Sequence, residues 1–329
     1  MNQEKKTVLD KQINDNYNNV TGMVVLKDSQ PVYENYFNGY KASNAVHVYS
    51  VTKSIFSALI GIAIDKGLIR SVDQKVLEFF PDYTVAEGEK TIQDVTVREL
   101  LTMTAPYKFE QEPYETFFSS PDWVNTALDF LGGEEHTGTF RYSPIIGTHI
   151  LSGILANVAG QSILDFANEN LFSPLKIKVP GPVILRNREE HMRVMNDKNT
   201  SGWVVDPQGR NTASWGLFLT PVAMAKFGQL YLDDGLYEGK RLISAQWIGE
   251  SIREHSRWNQ LPYGYLWWIV NTEEHSFAAM GDGGNVIYVN GSQNLVVSVA
   301  SLFMPNPKDR IEFIKGFVEP LFKNTDRDK

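Results

Sequence analysis

The chain has 329 residues, a formal net charge of −8, 42% hydrophobic and 21% charged residues, and no cysteine. That length and balance fit one large globular unit or two smaller ones with ample core material. The acidic charge, with no Lys/Arg run longer than a pair, excludes a basic nucleic-acid-binding surface. The missing cysteine excludes disulfides, thiolate metal sites and a thiol nucleophile.

The first residues, Met1-Asn2-Gln3-Glu4-Lys5-Lys6-Thr7, carry no apolar segment of the kind an export signal needs, so a cytoplasmic protein is expected. Residues 7–18 read as a polar helix. Residues 20–27 and 32–37 read as strands joined by a turn at Asp28-Ser29-Gln30-Pro31, an antiparallel hairpin.

Val46-His47-Val48-Tyr49 is a short β-prone run that ends at Ser50, where an apolar helix begins; that helix is expected to stop near Lys66-Gly67. Its longest apolar run, residues 55–64, is about half of what a membrane span requires, so no span is expected. Ser50 and Lys53 are three residues apart and therefore share a face, one turn from each other. The positive end of the helix dipole and partial desolvation both lower an ammonium's pKa, and a neutral amine beside a hydroxyl makes an activated nucleophile. The structural alternative is an N-capping serine followed by a solvated lysine. A second match, Ser173-Pro174-Leu175-Lys176, follows a helix that is ending and runs into Ile177-Lys178-Val179-Pro180-Gly181-Pro182, so it carries no chemistry.

Further on, Ser71 to Gln74 and Thr96 to Glu99 have the capping-box pattern and are structural signals. Residues 105–123 are rich in aromatics and proline; such a loop either packs into the core or walls a cleft. A loop at residues 138–144 precedes helical patterns over 145–158 and 163–172. Residues 184–214 are polar and irregular, and 221–231 and 244–254 are helical. Residues 263–270, 276–280, 286–289 and 295–300 read as strands, with a turn at 290–294, and a helix closes the chain over 309–322. The expected fold is α+β: an antiparallel sheet built from N- and C-terminal strands, flanked by helices and interrupted by a mostly helical insert. Residues 1–48 and 262–329 would form the sheet region and 49–261 the helical one, packed as one catalytic unit with the active site between them.

With Ser50, Lys53, Tyr142 and the Gly281-Asp282-Gly283-Gly284 turn in hand, the chain resembles the serine β-lactamase/penicillin-binding protein superfamily, and more closely its class C β-lactamase-like esterases and amidases. The resemblance lies in the order and spacing of Ser50-Val51-Thr52-Lys53-Ser54, Val97-Arg98-Glu99-Leu100-Leu101-Thr102-Met103-Thr104, Gly138-Thr139-Phe140-Arg141-Tyr142-Ser143, Ser214-Trp215-Gly216-Leu217-Phe218-Leu219-Thr220-Pro221, Phe227 to Leu232 and Tyr263 to Trp268. It implies a β-lactamase/D,D-peptidase-like fold and hydrolysis of a small-molecule ester or amide through an acyl-enzyme at Ser50. Lys53 would be the base and Tyr142, as phenolate or hydrogen-bond relay, would pass the proton to the leaving group. The oxyanion would lie between the N–H groups of Ser50 and Gly284. Asp282, Gly283, Trp215, Tyr107 and Phe118, with Trp123, would border the substrate, although the aromatics could equally be core and the glycines a bulge.

Two departures from the family pattern matter. The second motif, Tyr-x-Asn, reads Tyr142-Ser143-Pro144, and the third, Lys-Thr-Gly or His-Thr-Gly, reads Gly281-Asp282-Gly283. The amide and the cation are both missing, and an anion stands in the cation's neighbourhood, which disfavours carboxylate-bearing substrates and penicillins. The alternatives are therefore a D,D-peptidase or penicillin-binding protein or β-lactamase, and a catalytically dead binding protein on the same fold. No Gly-x-Ser-x-Gly elbow and no His-x-x-x-His or His-x-His pair occurs, which disfavours a Ser-His-Asp hydrolase and a metallohydrolase. No cofactor or metal is implied, and the oligomeric state is not encoded in any pattern read here.

Overall fold

The computed structural model describes residues 1–195 and 197–322. Helix α1 (Gln3–Asn16) leads into β1 (Val20–Lys27) and β2 (Gln30–Tyr36). The hairpin loop is only Asp28 and Ser29, both left-handed at φ 51° and 61°, the geometry whose twist matches that of the strands. Gln30 and Pro31 thus belong to β2 and not to the turn. That strand is an edge of the sheet, where proline's missing N–H costs no ladder bond.

Helices α2 (Val51–Asp65), α3 (Val97–Thr102), α4 (Tyr114–Ser119), α5 (Trp123–Phe130), α6 (Ile146–Ala159), α7 (Ile163–Ala167), α8 (Arg188–Met195), α9 (Pro221–Leu232) and α10 (Ala245–Ser251) follow. Then come β3 (Ser256–Trp258), β4 (Leu261–Tyr263), β5 (Trp268–Asn271), β6 (Ser276–Gly281), β7 (Asn285–Asn290) and β8 (Leu295–Ser301). Helix α11 (Arg310–Phe313) opens the closing helical segment, which runs on to Phe322.

The fold is α+β. One antiparallel sheet in the order β2-β1-β8-β7-β6-β5-β4-β3 joins the two ends of the chain, Val25 of β1 lying opposite Val297 of β8. Both faces are covered, so the inner strands bury alternate residues in two cores. Val286, Tyr288, Val297 and Val299 pack with Leu9 and Ile13 of α1 and with Phe313, Ile314 and Val318. Ile287, Val289 and Val296 face the opposite way, toward α2, α9 and the helical layer. All residues from Val51 to Ala63 of α2 are buried. A helix that is apolar all round belongs at the centre of a core, and each of its large aliphatic or aromatic side chains contributes about 1.5–3 kcal/mol by leaving water.

Several local readings change. The aromatic stretch 105–123 contains α4 and the polar stretch 184–214 contains α8. The strand expected over 263–270 is two strands with an excursion between them. Gly264 lies against the Ser251 carbonyl, where a Cβ would sit 2.1 Å from the oxygen. Leu266 turns left-handed at φ 60°, gives its N–H to Leu101 and takes the Ser54 hydroxyl on its carbonyl, so residues 264–267 are drawn toward α2 and α3. The Ser71–Gln74 pattern makes a turn, the short helix Val76–Phe79 being capped by Lys75 and Glu78. At α3 the box closes as expected, Glu99 accepting the Thr96 N–H at 2.7 Å. Among the described residues no single helix is long and apolar enough to cross a membrane.

Candidate active site

Val46–His47 pairs with Phe218–Leu219, which fixes the chain just before α2. Tyr49 then takes a left-handed conformation at φ 49°, an uncommon state for a residue with a side chain, and one that needs surrounding structure to hold it. Ser50 follows at the N-cap of α2, yet its side chain caps nothing. Its Oγ accepts a hydrogen bond from Lys53 Nζ at 2.8 Å, and the same ammonium donates to the Ser214 carbonyl at 3.1 Å. The capping reading of Ser50 and the solvated reading of Lys53 are therefore both excluded by position: Lys53 is 2% exposed. Burial holds its pKa down at about 8, against the opposing pull of the Asp282 and Glu112 carboxylates.

Tyr142 brings its hydroxyl to the Ser50 side chain, and its ring lies 5.8 Å from Lys53 Nζ. The residue as a whole is 38% exposed. Burial of the hydroxyl raises the phenol's pKa, and the nearby Asp282 and Glu112 carboxylates push the same way. Both effects favour the neutral phenol over the phenolate near neutral pH. By contrast, Lys176 of the second Ser-x-x-Lys pairs with Glu238 in solvent.

Three further contributors were given no site role by the sequence, and of them Glu112 lies in none of its motifs. Glu112, on the loop before α4, accepts the backbone N–H groups of Ile145 and Ile146 at the start of α6 and the Ser143 hydroxyl. Burial raises its carboxyl pKa despite those donors. Ser214 supplies the carbonyl under Lys53, and its turn is held by the Gly216 N–H donating to His47 Nε2 at 2.8 Å. His47 is buried and held neutral, its pKa down at about 3, so it remains an acceptor. Gly281 packs directly on the backbone leading into Ser50: a Cβ there would lie 2.3 Å from the Val48 oxygen and 3.1 Å from Ser50 N.

That contact redistributes the third motif. Gly281 meets Ser50, whereas a Cβ on Gly283 would press on the Leu302 carbonyl and one on Gly284 on the Arg310 guanidinium. Gly281 and Gly284 thus border different neighbours, the backbone around Ser50 and the Arg310 side chain. Asp282 is exposed at its apex, and its charge is felt at Lys53, Tyr142, Tyr49 and Tyr114.

Beside this centre lies a cleft of about 600 Å³ whose lining combines Tyr114, Phe118, Trp123, Leu185, His191 and Trp215 with the polar Glu115, Arg186 and Asn187. His191 stacks on Trp215 at 5.2 Å, and Phe118 meets Trp123 edge-on at 5.1 Å. Tyr107 does not join them. It is buried, stacked on Phe109, with its hydroxyl wedged against the Gly147 backbone. Among the described residues no three His, Asp or Glu side chains are grouped to hold a metal ion.

By family, the protein is a serine hydrolase of the ester- and amide-cleaving type. A beta-lactamase family model matches residues 12–313, and the chain belongs to that family. It is similar to the 6-aminohexanoate-dimer hydrolase of Paenarthrobacter ureafaciens, 22% identical over 310 residues that cover 87% of this chain and 73% of the relative. In three dimensions it resembles an octameric penicillin-binding protein homologue from Pyrococcus abyssi, at a TM-score of 0.70 and 19% identity over 96% of this chain and 77% of that one. It also resembles a family VIII carboxylesterase, at a TM-score of 0.68 and 17% identity over 96% and 97% of the two chains.

Proposed function

We propose that the protein cleaves a small, uncharged or non-carboxylate ester or amide through an acyl-enzyme on Ser50. The observation that carries the reading is the 2.8 Å hydrogen bond between Lys53 Nζ and Ser50 Oγ in a buried setting that brings the lysine pKa to about 8. A fraction of the lysines is then neutral near pH 7 and can take the hydroxyl proton as Oγ attacks the carbonyl carbon. The Ser214 carbonyl keeps the amine aimed while it carries that proton. Tyr142, as a phenol, gives a proton to the departing oxygen or nitrogen and is restored from Lys53, so the leaving group exits neutral. A water then attacks the acyl-enzyme by the reverse relay.

The tetrahedral oxygen would lie between the N–H of Ser50 and that of Asp282, the residue that follows the Gly281 contact. This places the second donor two residues before Gly284. Loss of such a donor typically costs about 10²–10³ in rate. The aromatic cleft suits an apolar acyl or leaving group, and the Asp282 carboxylate disfavours a substrate carboxylate, which counts against the penicillin and D,D-peptidase reading. A cytoplasmic location is part of the proposal, and fractionation of cells against a cytosolic marker checks it.

The test is intact-protein mass after incubation with a fluorophosphonate and, separately, a penicillin, alongside hydrolysis of short-chain nitrophenyl esters. Wild type should gain one phosphonyl group and turn over ester, with no lasting penicilloyl adduct, and Ser50→Ala should do neither. A persistent penicilloyl adduct would favour the cell-wall reading. A folded protein that takes up neither reagent would leave only the binding-protein reading.

A further inference from the structure

The turn that carries Asp282 is held from behind by the two ends of the chain. Asn19, just before β1, donates both protons of its amide at 2.7 Å, one to the Gly283 carbonyl and one to the Leu302 carbonyl. Its oxygen in turn accepts Arg310 Nη2 at 2.7 Å. Arg310 Nη1 caps the Lys308 carbonyl at 2.8 Å, its guanidinium lies 4.7 Å from the Tyr17 ring, and it fills the space a Cβ on Gly284 would need. A second asparagine, Asn285, donates to the Asp282 carbonyl at 2.8 Å and to the Ser301 carbonyl at 3.0 Å. Two consecutive carbonyls of the turn are thus tied down by buried side-chain amides.

Arg310 is the unusual member. It is 5% exposed, forms no ion pair among the described residues, and its Nε has no acceptor there. The neighbouring phenol of Tyr17 and carboxylate of Asp309 only partly offset the cost of burying it. A buried unpaired guanidinium is expensive, and an apolar residue in its place would stabilise the fold better. What it accomplishes is geometric. It fixes the Asn19 amide so that both donors point at the carbonyls, and it blocks the Gly283–Gly284 turn from collapsing backward.

We infer that Asn19 and Arg310 are positioning residues for the oxyanion arm: acting through the Gly283 carbonyl, they hold the Asp282 N–H at the distance from Ser50 that the tetrahedral oxygen requires. The inference rests on the proposed catalytic reading of Ser50 and Asp282. Residues 291 positions apart in sequence then set the alignment of one N–H group, and docking of the closing helical segment becomes a condition for transition-state stabilisation.

The experiment uses the full chain and the variants Asn19→Asp, Asn19→Ala and Arg310→Met. Asn19→Asp is the most telling, since it keeps an oxygen for Arg310, now as an ion pair, but removes both donors. The readouts are kcat and KM on a nitrophenyl ester, the inhibition constant of a phenylboronic acid that forms a tetrahedral adduct on the serine, and Tm. A matched control is Tyr33→Phe, which removes a hydrogen bond to Asp10 far from the turn. We expect kcat to fall about 10- to 100-fold in all three variants, with KM changed less than about threefold and boronate affinity weakened by the same factor as kcat/KM. Asn19→Asp should lower Tm less than Asn19→Ala, because its ion pair with Arg310 offsets part of the two lost donors, and Arg310→Met combined with Asn19→Ala should be no worse than the more severe single change. Normal kcat and boronate affinity in a folded Asn19→Asp protein, or losses in the variants no larger than in a control of equal Tm, would overturn the inference. A wild type that binds neither boronate nor fluorophosphonate at Ser50 would instead remove the catalytic reading beneath it.

Discussion

Lys53 makes opposite demands on stability and catalysis, and Lys53→Met separates them. Its pKa falls from the ordinary 10.5 to about 8 through burial. Between those two values the unfolded chain binds a proton that the folded chain does not, so this group's contribution to stability rises with pH across that window and is most unfavourable below pH 8. Integrating the two titrations gives a cost of about 3 kcal/mol at pH 7 and about 1 kcal/mol at pH 10, a change of about 2 kcal/mol. Methionine fills nearly the same volume but leaves the Ser214 carbonyl without its donor, a loss of about 1–3 kcal/mol that is independent of pH. The absolute effect of the substitution at pH 7 is therefore small, while its pH dependence is large. Urea unfolding of wild type and Lys53→Met at pH 7 and pH 10 should show the wild type gaining about 2 kcal/mol relative to the variant. On the same protein kcat/KM of the wild type should rise about tenfold per pH unit up to about pH 8 and then level, and the variant should be inactive. A stability difference that does not move with pH, or an activity limb near 6 or above 10, would refute the picture of a buried lysine serving as base.

The carboxylates, the glycine contact and the cleft each yield a further expectation. Asp282→Asn removes a charge that favours the Lys53 ammonium, so the activity limb should move to lower pH; a stopped-flow pH profile that shifts upward or not at all contradicts the placement of Asp282. The same variant should be acylated faster by a carboxylate-bearing β-lactam, roughly tenfold at low salt and less at high salt, as followed by penicilloyl mass. Gly281→Ala should cost about 10² or more in kcat/KM, because its neighbours at 2.3 and 3.1 Å are backbone atoms of the nucleophile turn, whereas Gly249→Ala, with open space around it, should be silent. Glu112→Ala strips the acceptor from the Ile145 and Ile146 N–H groups and should lower unfolding free energy by about 1–3 kcal/mol, measured by denaturation at pH 7.

How much of this was legible in the chain follows from the range of each interaction. Ser50 and Lys53 are three apart on one helix, so their contact is local, and the residue spacing alone states it. The hairpin, the α3 capping box and the alternating strands near both termini are equally local, and together they define an α+β fold with a sheet closed by the chain ends. The misread places are those where a tertiary contact overrides a local pattern: residues 264–267 leave the sheet because the Leu101 and Leu266 backbones meet, and Pro31 enters a strand because that strand is an edge.

The rest of the site is decided only in three dimensions. Whether Gly281 or Gly284 faces the nucleophile depends on which side of one turn meets Val48 and which meets Arg310, and no window of sequence distinguishes four neighbouring small or polar residues. Glu112 is 59 residues from Lys53, Ser214 is 161 away, and Asn19 and Arg310 lie at opposite ends. Their side chains carry no periodicity that points at one another; they converge because the antiparallel sheet and the buried α2 bring distant backbones within hydrogen-bonding distance. The sequence determined that Ser50 and Lys53 adjoin, since a helix turn is set by neighbouring residues. Their electrostatic surroundings and the alignment of the Gly281–Gly284 turn beside them were decided by packing, since charge and geometry at a point depend on everything that folds around it.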